Sequence, residues 1–144
     1  MNMLEQLVTS FIGTAGFSVL FNVPRRTVVQ CGFVGLLGWL IYISCLEVPA
    51  DPIIAALLAS CVVAVISQIC AKVYKTPIIV FSIAGIIPLV PGGTAYDAMR
   101  SFVEYDYETA LQLAAKAFMI SGAIAIGLVF SEAINQAIRK LKIN

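Results

Sequence analysis

Residues 77–96 read PIIVFSIAGIIPLVPGGTAY. The stretch carries no charged residue and matches the roughly 20 apolar residues that a helix needs to cross a bilayer. Near its end it breaks its own helix with Pro88, Pro91, Gly92 and Gly93. Proline removes a backbone donor and clashes with the preceding turn, and glycine opens dihedrals closed to other residues, so a continuous helix through Leu89–Thr94 is not expected. Two readings stay open. In one, this is a broken span whose freed backbone groups are buried in protein or line a wet cavity on a solute path. In the other, the span ends at Val90 and the PGG sequence is a surface turn.

The rest of the chain says that the solvent is lipid. Of its 144 residues 60% are hydrophobic and 12% charged, and the mean hydropathy is +0.97, far from a soluble domain. Charge is absent from residues 6–24, 27–46, 52–71, 77–96 and 117–131. This predicts an all-α polytopic membrane bundle, a single integral membrane domain over 1–144, with about five spans near 4–24, 27–46, 52–71, 77–93 and 110–134. The fourth is Pro/Gly-broken, and the fifth tolerates Lys116 and Glu132 by snorkelling or pairing. The first segment competes with a signal peptide. It lacks a basic leader and ends in FNVPRR rather than in a small-residue cleavage site, so it is read as a mature span.

Connection charges alternate in sign. Arg25 and Arg26 follow span one, Glu47 and Asp51 span two, Lys72 and Lys75 span three. Asp97, Glu104, Asp106 and Glu108 against Arg100 follow span four, and Arg139, Lys140 and Lys142 close the chain. With basic loops on the cytoplasmic side, the N-terminus is expected outside and the C-terminus inside. The mixed apolar and charged segment Thr94–Tyr107 predicts a short amphipathic helix at the outer surface, and Pro91-Gly92-Gly93-Thr94 looks like its start, where unpaired amides favour a carboxylate.

Several function classes are disfavoured. The net charge of +1 and the lack of a basic stripe argue against nucleic acid. There is no histidine, and Cys31, Cys45, Cys61 and Cys70 lack metal-ligand spacing, so no metal or cofactor is expected. No nucleophile sits beside a base, so the chain is not read as an enzyme. Gln30, Ser60, Ser67, Gln68, Ser82 and Ser121 are the mid-span polar groups, suited to bonding a solute or, more commonly, a neighbouring helix. Gly13, Gly16, Gly32, Gly35 and Gly38 read chiefly as close helix packing. Lys116 either snorkels or faces inward toward Asp97 or Glu104. Glu132 is its counterpart at the inner end, and Asp97, Lys116 and Glu132 are the coupling candidates.

Gly16–Arg26, GFSVLFNVPRR, the glycine-rich 31–38 and Ile86–Met99, IIPLVPGGTAYDAM, together resemble the threonine/serine exporter family, in particular its small, separately encoded subunit. The two anchors are an FNVP span end and a P-x-x-PG-x-x-x-Y span end. They single out Asn22 and Pro24, then Pro88, Pro91, Gly92 and Tyr96; with Gly93 these are the substrate-path candidates. The resemblance implies an inner-membrane exporter of small hydrophilic metabolites, threonine, serine or dicarboxylates such as succinate. It also implies a larger partner subunit of the same family; a homo-oligomer of this chain is the separate alternative.

Overall fold

The computed structural model describes residues 2–48 and 51–141. Every regular element among them is helical: α1 Met3–Leu20, α2 Val28–Glu47, α3 Pro52–Tyr74, α4 Ile78–Ile86, α5 Gly92–Val103 and α6 Tyr107–Leu141, with 3-10 turns at Arg25–Thr27 and Ile87–Leu89. Lys142 lies outside the described residues. Four helices, α1, α2, α3 and α6, are long and apolar enough to cross a membrane; α4 and α5 form a bent pair, at 50°, that makes a fifth crossing if counted as one span.

Local chemistry sets the boundaries. Asp51 caps α3 by accepting from the Ile53 amide at 2.8 Å, and Pro52 occupies the first turn, where its missing donor costs nothing. α1 ends at Leu20, and just beyond it Asn22 has a left-handed φ of 55°, a conformation asparagine tolerates better than most residues. The Val23 amide then returns to the Ser18 carbonyl at 3.0 Å.

α4 runs through the middle of the bundle, against α2, α3 and α1. Phe81 and Ala84 on it, with Leu89 of the following 3-10 turn, join Cys31, Val34, Ala59 and Val63 in one buried cluster. Gly85 permits this approach, because a Cβ there would stand 2.6 Å from Val34 Cγ1 and 2.7 Å from Val63 Cγ1. Gly32 and Gly35 of α2 are likewise filled by Phe11 and Thr14 of α1. Gly13 and Gly16 depart from the packing expectation: both are exposed, and a Cβ on either would meet nothing within 4 Å. Another close crossing joins α3 to α6, where Gly127 lies on Ser60 and the Leu57 carbonyl. Cys31 and Cys61 point their thiols at the carbonyls of Val80 and Gly127, as small core residues rather than reactive ones.

The fourth crossing is broken, as the first of its two sequence readings has it. Regular α-helix stops at Ile86, the 3-10 turn carries the chain through Pro88, and helix resumes at Gly92, so Gly92 and Gly93 are the exposed first turn of a helix and Pro91 stands just before it. Pro91 is the joint. Its carbonyl accepts the Ala95 amide at 3.0 Å, the first bond of α5. From Ile78 to Leu89 the chain rises only about 18–20 Å, short of a roughly 30 Å hydrocarbon core.

α5 folds back on α6; Ala98 of α5 and Ala110 and Ala117 of α6 are buried, while Tyr96, Met99 and Phe118 stay exposed. It is the expected amphipathic helix, beginning two residues earlier. α6 has 35 residues, more than a span requires, and the charge-free run 117–131 understates it. Arg100 pairs with Glu104 at 2.9 Å, which raises the arginine's pKa. Asp106 caps α6 by accepting from the Thr109 amide at 3.2 Å. Hydrogen bonds from the Thr109 hydroxyl and amide hold its carboxyl below the ordinary 3.8. A lowered folded pKa means that this cap acts in full above the unfolded value and is lost as pH falls through the folded one. The protection of the Thr109 amide from exchange, relative to its intrinsic rate at each pH, should therefore fall on acidification below about pH 4, and Asp106→Ala should lower that protection at neutral pH too.

Candidate functional site

The break in α4 faces a polar stripe on α1. Gln6, Thr9, Ser10, Gly13 and Thr14, with Trp39 of α2 and Ile87 and Pro88 of the turn, line a cleft of about 230 Å³. Thr9 returns its hydroxyl to the Glu5 carbonyl at 2.8 Å, and Ser10 donates to the Gly35 carbonyl at 3.3 Å. Thr14 is different. It is fully buried, at 0% exposure, and its Oγ1 has no hydrogen-bond partner, an arrangement that ordinarily costs about 1–3 kcal/mol.

At the other end of α4 a second polar group bridges α3 and α6. Gln68 donates to the Ser131 carbonyl at 3.3 Å and to Glu132 Oε2 at 3.4 Å, and Gln136 donates to Glu132 Oε1 at 3.2 Å. Gln68, Lys72, Glu132 and Asn135 line a pocket of about 200 Å³. Between the two ends Val34, Val63, Phe81, Ala84 and Leu89 close the interior.

The sequence-derived candidates do not converge on one place. Asn22 and Pro24 are exposed and form the turn between α1 and α2. The neighbouring Phe21 and Val23 sit with Ile79 and Val80 at the start of α4, the end opposite Pro88. A solute touched by Pro88 is therefore not touched by Asn22. Of the second anchor only Pro88 lines the cleft. Gly92 and Gly93 form the exposed first turn of α5, Pro91 precedes it, and Tyr96 is 68% exposed on its outer face. Asp97 and Lys116 are exposed on α5 and α6. Glu132 alone among the coupling candidates is half-buried and hydrogen-bonded.

Sequence reasoning missed Thr14, Ser10, Thr9 and Trp39 as one group. The signal was present: 6, 9, 10, 13 and 14 follow i, i+3, i+4, i+7, i+8, a single helical face. Of the mid-span polar residues, Ser60, Ser82 and Ser121 bond back to carbonyls of their own helices, and Gln68 bonds across to α6.

Long apolar helices with a broken crossing and a polar cleft at the break define a multi-pass membrane protein. The chain belongs to the threonine/serine exporter family: the family model described as Threonine/Serine exporter, ThrE, matches residues 6–134. It is also 27% identical over 136 residues to an uncharacterised protein of Haemophilus influenzae, a match covering 89% of this chain and 46% of that relative. The chain thus spans about half the length of that curated relative. No solved structure matches. Membership supports an exporter-type role and points to transport rather than catalysis.

Proposed function

We propose that this chain is one subunit of a secondary-active exporter of small hydrophilic metabolites, threonine, serine or dicarboxylates such as succinate, in the bacterial inner membrane. The carrying observation is the broken fourth crossing of an exporter-family bundle, with Pro88 turned onto the polar stripe of α1. Basic residues gather where α1, α3 and α6 end, which supports an outside N-terminus and a cytoplasmic C-terminus. The second bundle comes from a larger subunit of the same family, or from further copies of this chain; the half-length match to the relative supports a missing half. Thr14 offers the solute its unpartnered hydroxyl, the amides opening α5 hold a carboxylate, and Glu132 takes part in ion coupling. A scaffold reading rests on the closed layer around Phe81. It assigns the pathway to the partner alone.

Efflux of threonine, serine and succinate from loaded cells tests this, comparing the chain alone, a larger family subunit alone, and both. Export only with both is the expected result. Export by the larger subunit alone at the same rate establishes the scaffold. Thr14→Val keeps the shape of the side chain and removes an unpaired group, so thermal stability should hold or rise by about 1 kcal/mol while export falls; unchanged export releases the hydroxyl from any role. Gly92→Ala with Gly93→Ala meets open space at both positions and should strengthen α5 by roughly 0.5–1 kcal/mol per site. Reduced export in that stable double variant would tie the α5 start to the solute.

A further inference from the structure

A second cavity lies along the side of the bundle, away from the Pro88 cleft. It measures about 510 Å³, and Ile78 and Ile79 of α4 and Leu128, Val129 and Ala133 of α6 form its apolar walls. Glu132 lies on its margin. The pocket holding Lys72, Gln68 and Asn135 adjoins it, because Ile78 and Glu132 line both. An apolar groove therefore ends in a small chamber carrying one carboxylate and one ammonium.

The two charges share this chamber without joining: the ion pair among the described residues is Arg100 with Glu104. Each Glu132 oxygen takes a single amide, at 3.2 Å and 3.4 Å. A carboxylate has about four lone-pair sites, so it retains capacity for a further donor. Lys72 belongs to the last turn of α3, whose 23 residues rise about 34 Å, slightly more than the hydrocarbon core. The chamber therefore lies at the membrane interface and the groove descends from it beside α4.

We propose that groove and chamber form one site for a phospholipid whose headgroup carries a primary ammonium beside its phosphate, the phosphatidylethanolamine class. An acyl chain fills the groove against Ile79, Leu128 and Val129. With the headgroup lying in the membrane plane, the phosphate faces Lys72 across the α3–α6 seam and the ammonium donates to Glu132 between the amides of Gln68 and Gln136. A trimethylammonium headgroup has no N–H to give Glu132, and a glycerol headgroup has no positive charge. This inference rests on the membrane class of the chain and not on any transported solute.

Native mass spectrometry of the detergent-purified chain, titrated with dioleoyl phosphatidylethanolamine, phosphatidylcholine and phosphatidylglycerol, tests it. The ethanolamine lipid should bind about tenfold more tightly than the other two, as expected for one charge-assisted hydrogen-bonded contact. Glu132→Gln should erase that preference, Lys72→Gln should weaken all three lipids, and Val129→Trp, on an exposed groove wall, should lower retention whatever the headgroup. Circular dichroism of each variant confirms that it is folded. Equal retention of the three lipids, a preference that survives Glu132→Gln, or displacement by soluble phosphoethanolamine overturns the proposal. None of these results depends on efflux, so failure here is separable from failure of the exporter reading.

Discussion

Gly127→Ala will drive α3 and α6 apart. A Cβ at this position runs into Ser60 Oγ and stands 2.9 Å from the Leu57 carbonyl oxygen, a backbone atom that cannot rotate away. Separation would also stretch the bonds from Gln68 to Ser131 and Glu132 and from Cys61 to the Gly127 carbonyl. Overpacking alone typically costs about 1–3 kcal/mol, and the lost cross-helix bonds bring the expected loss to about 3 kcal/mol. Gly122→Ala is the matched control on the same helix, where a Cβ would meet nothing within 4 Å. It should stabilise α6 by up to about 1 kcal/mol through helix propensity. Thermal unfolding in detergent reads both. Equal behaviour of the two alanines would refute the close crossing.

The second large effect is expected at Phe81, the largest of the fully buried side chains among the described residues. In a water-soluble core Phe→Ala costs about 3–5 kcal/mol. Here the alternative environment is lipid, as apolar as the core, so the water-transfer part shrinks and the lost packing remains. Phe81→Ala should therefore cost about 2–3 kcal/mol, measured by reversible unfolding in mixed micelles. Phe81→Leu, nearer in volume, should cost less than about 1.5 kcal/mol. If alanine proves as mild as leucine, α4 is not the central packed element.

Much of this architecture is legible in the sequence because charge is expensive in lipid: the gaps between charged residues locate α1, α2 and α3 to within a few residues. α6 is less legible. Lys116 and Glu132 interrupt its charge-free run, yet Lys116 is exposed and Glu132 is hydrogen-bonded, so neither ends the helix. The break after Pro88 is legible too, and so, to within two residues, is the helix that starts after Pro91; that Gly92 and Gly93 are themselves helical is not. Glycine permits left-handed backbone without demanding it, and no glycine among the described residues has a positive φ. Which glycines pack depends on what faces them. Gly35 meets Thr14, whereas Gly16 meets nothing, and one sequence holds no record of that. The site was the least legible. Successive crossings run in opposite directions, so the ends of spans one and four belong to opposite faces, and motif resemblance grouped Asn22 with Pro88 all the same.

α6 is one continuous helix shared by two neighbourhoods. It packs against α5 and α3; at Gly127 it closes on Ser60, and just beyond, Gln68 of α3 bonds the Ser131 carbonyl and Glu132. From Tyr107 to Gly127 is about 30 Å, and from Gly127 to Glu132 about 7–8 Å, at 1.5 Å per residue. The exposed α5 hairpin and the Lys72 chamber are thus far apart in space yet built on the two ends of the same rod.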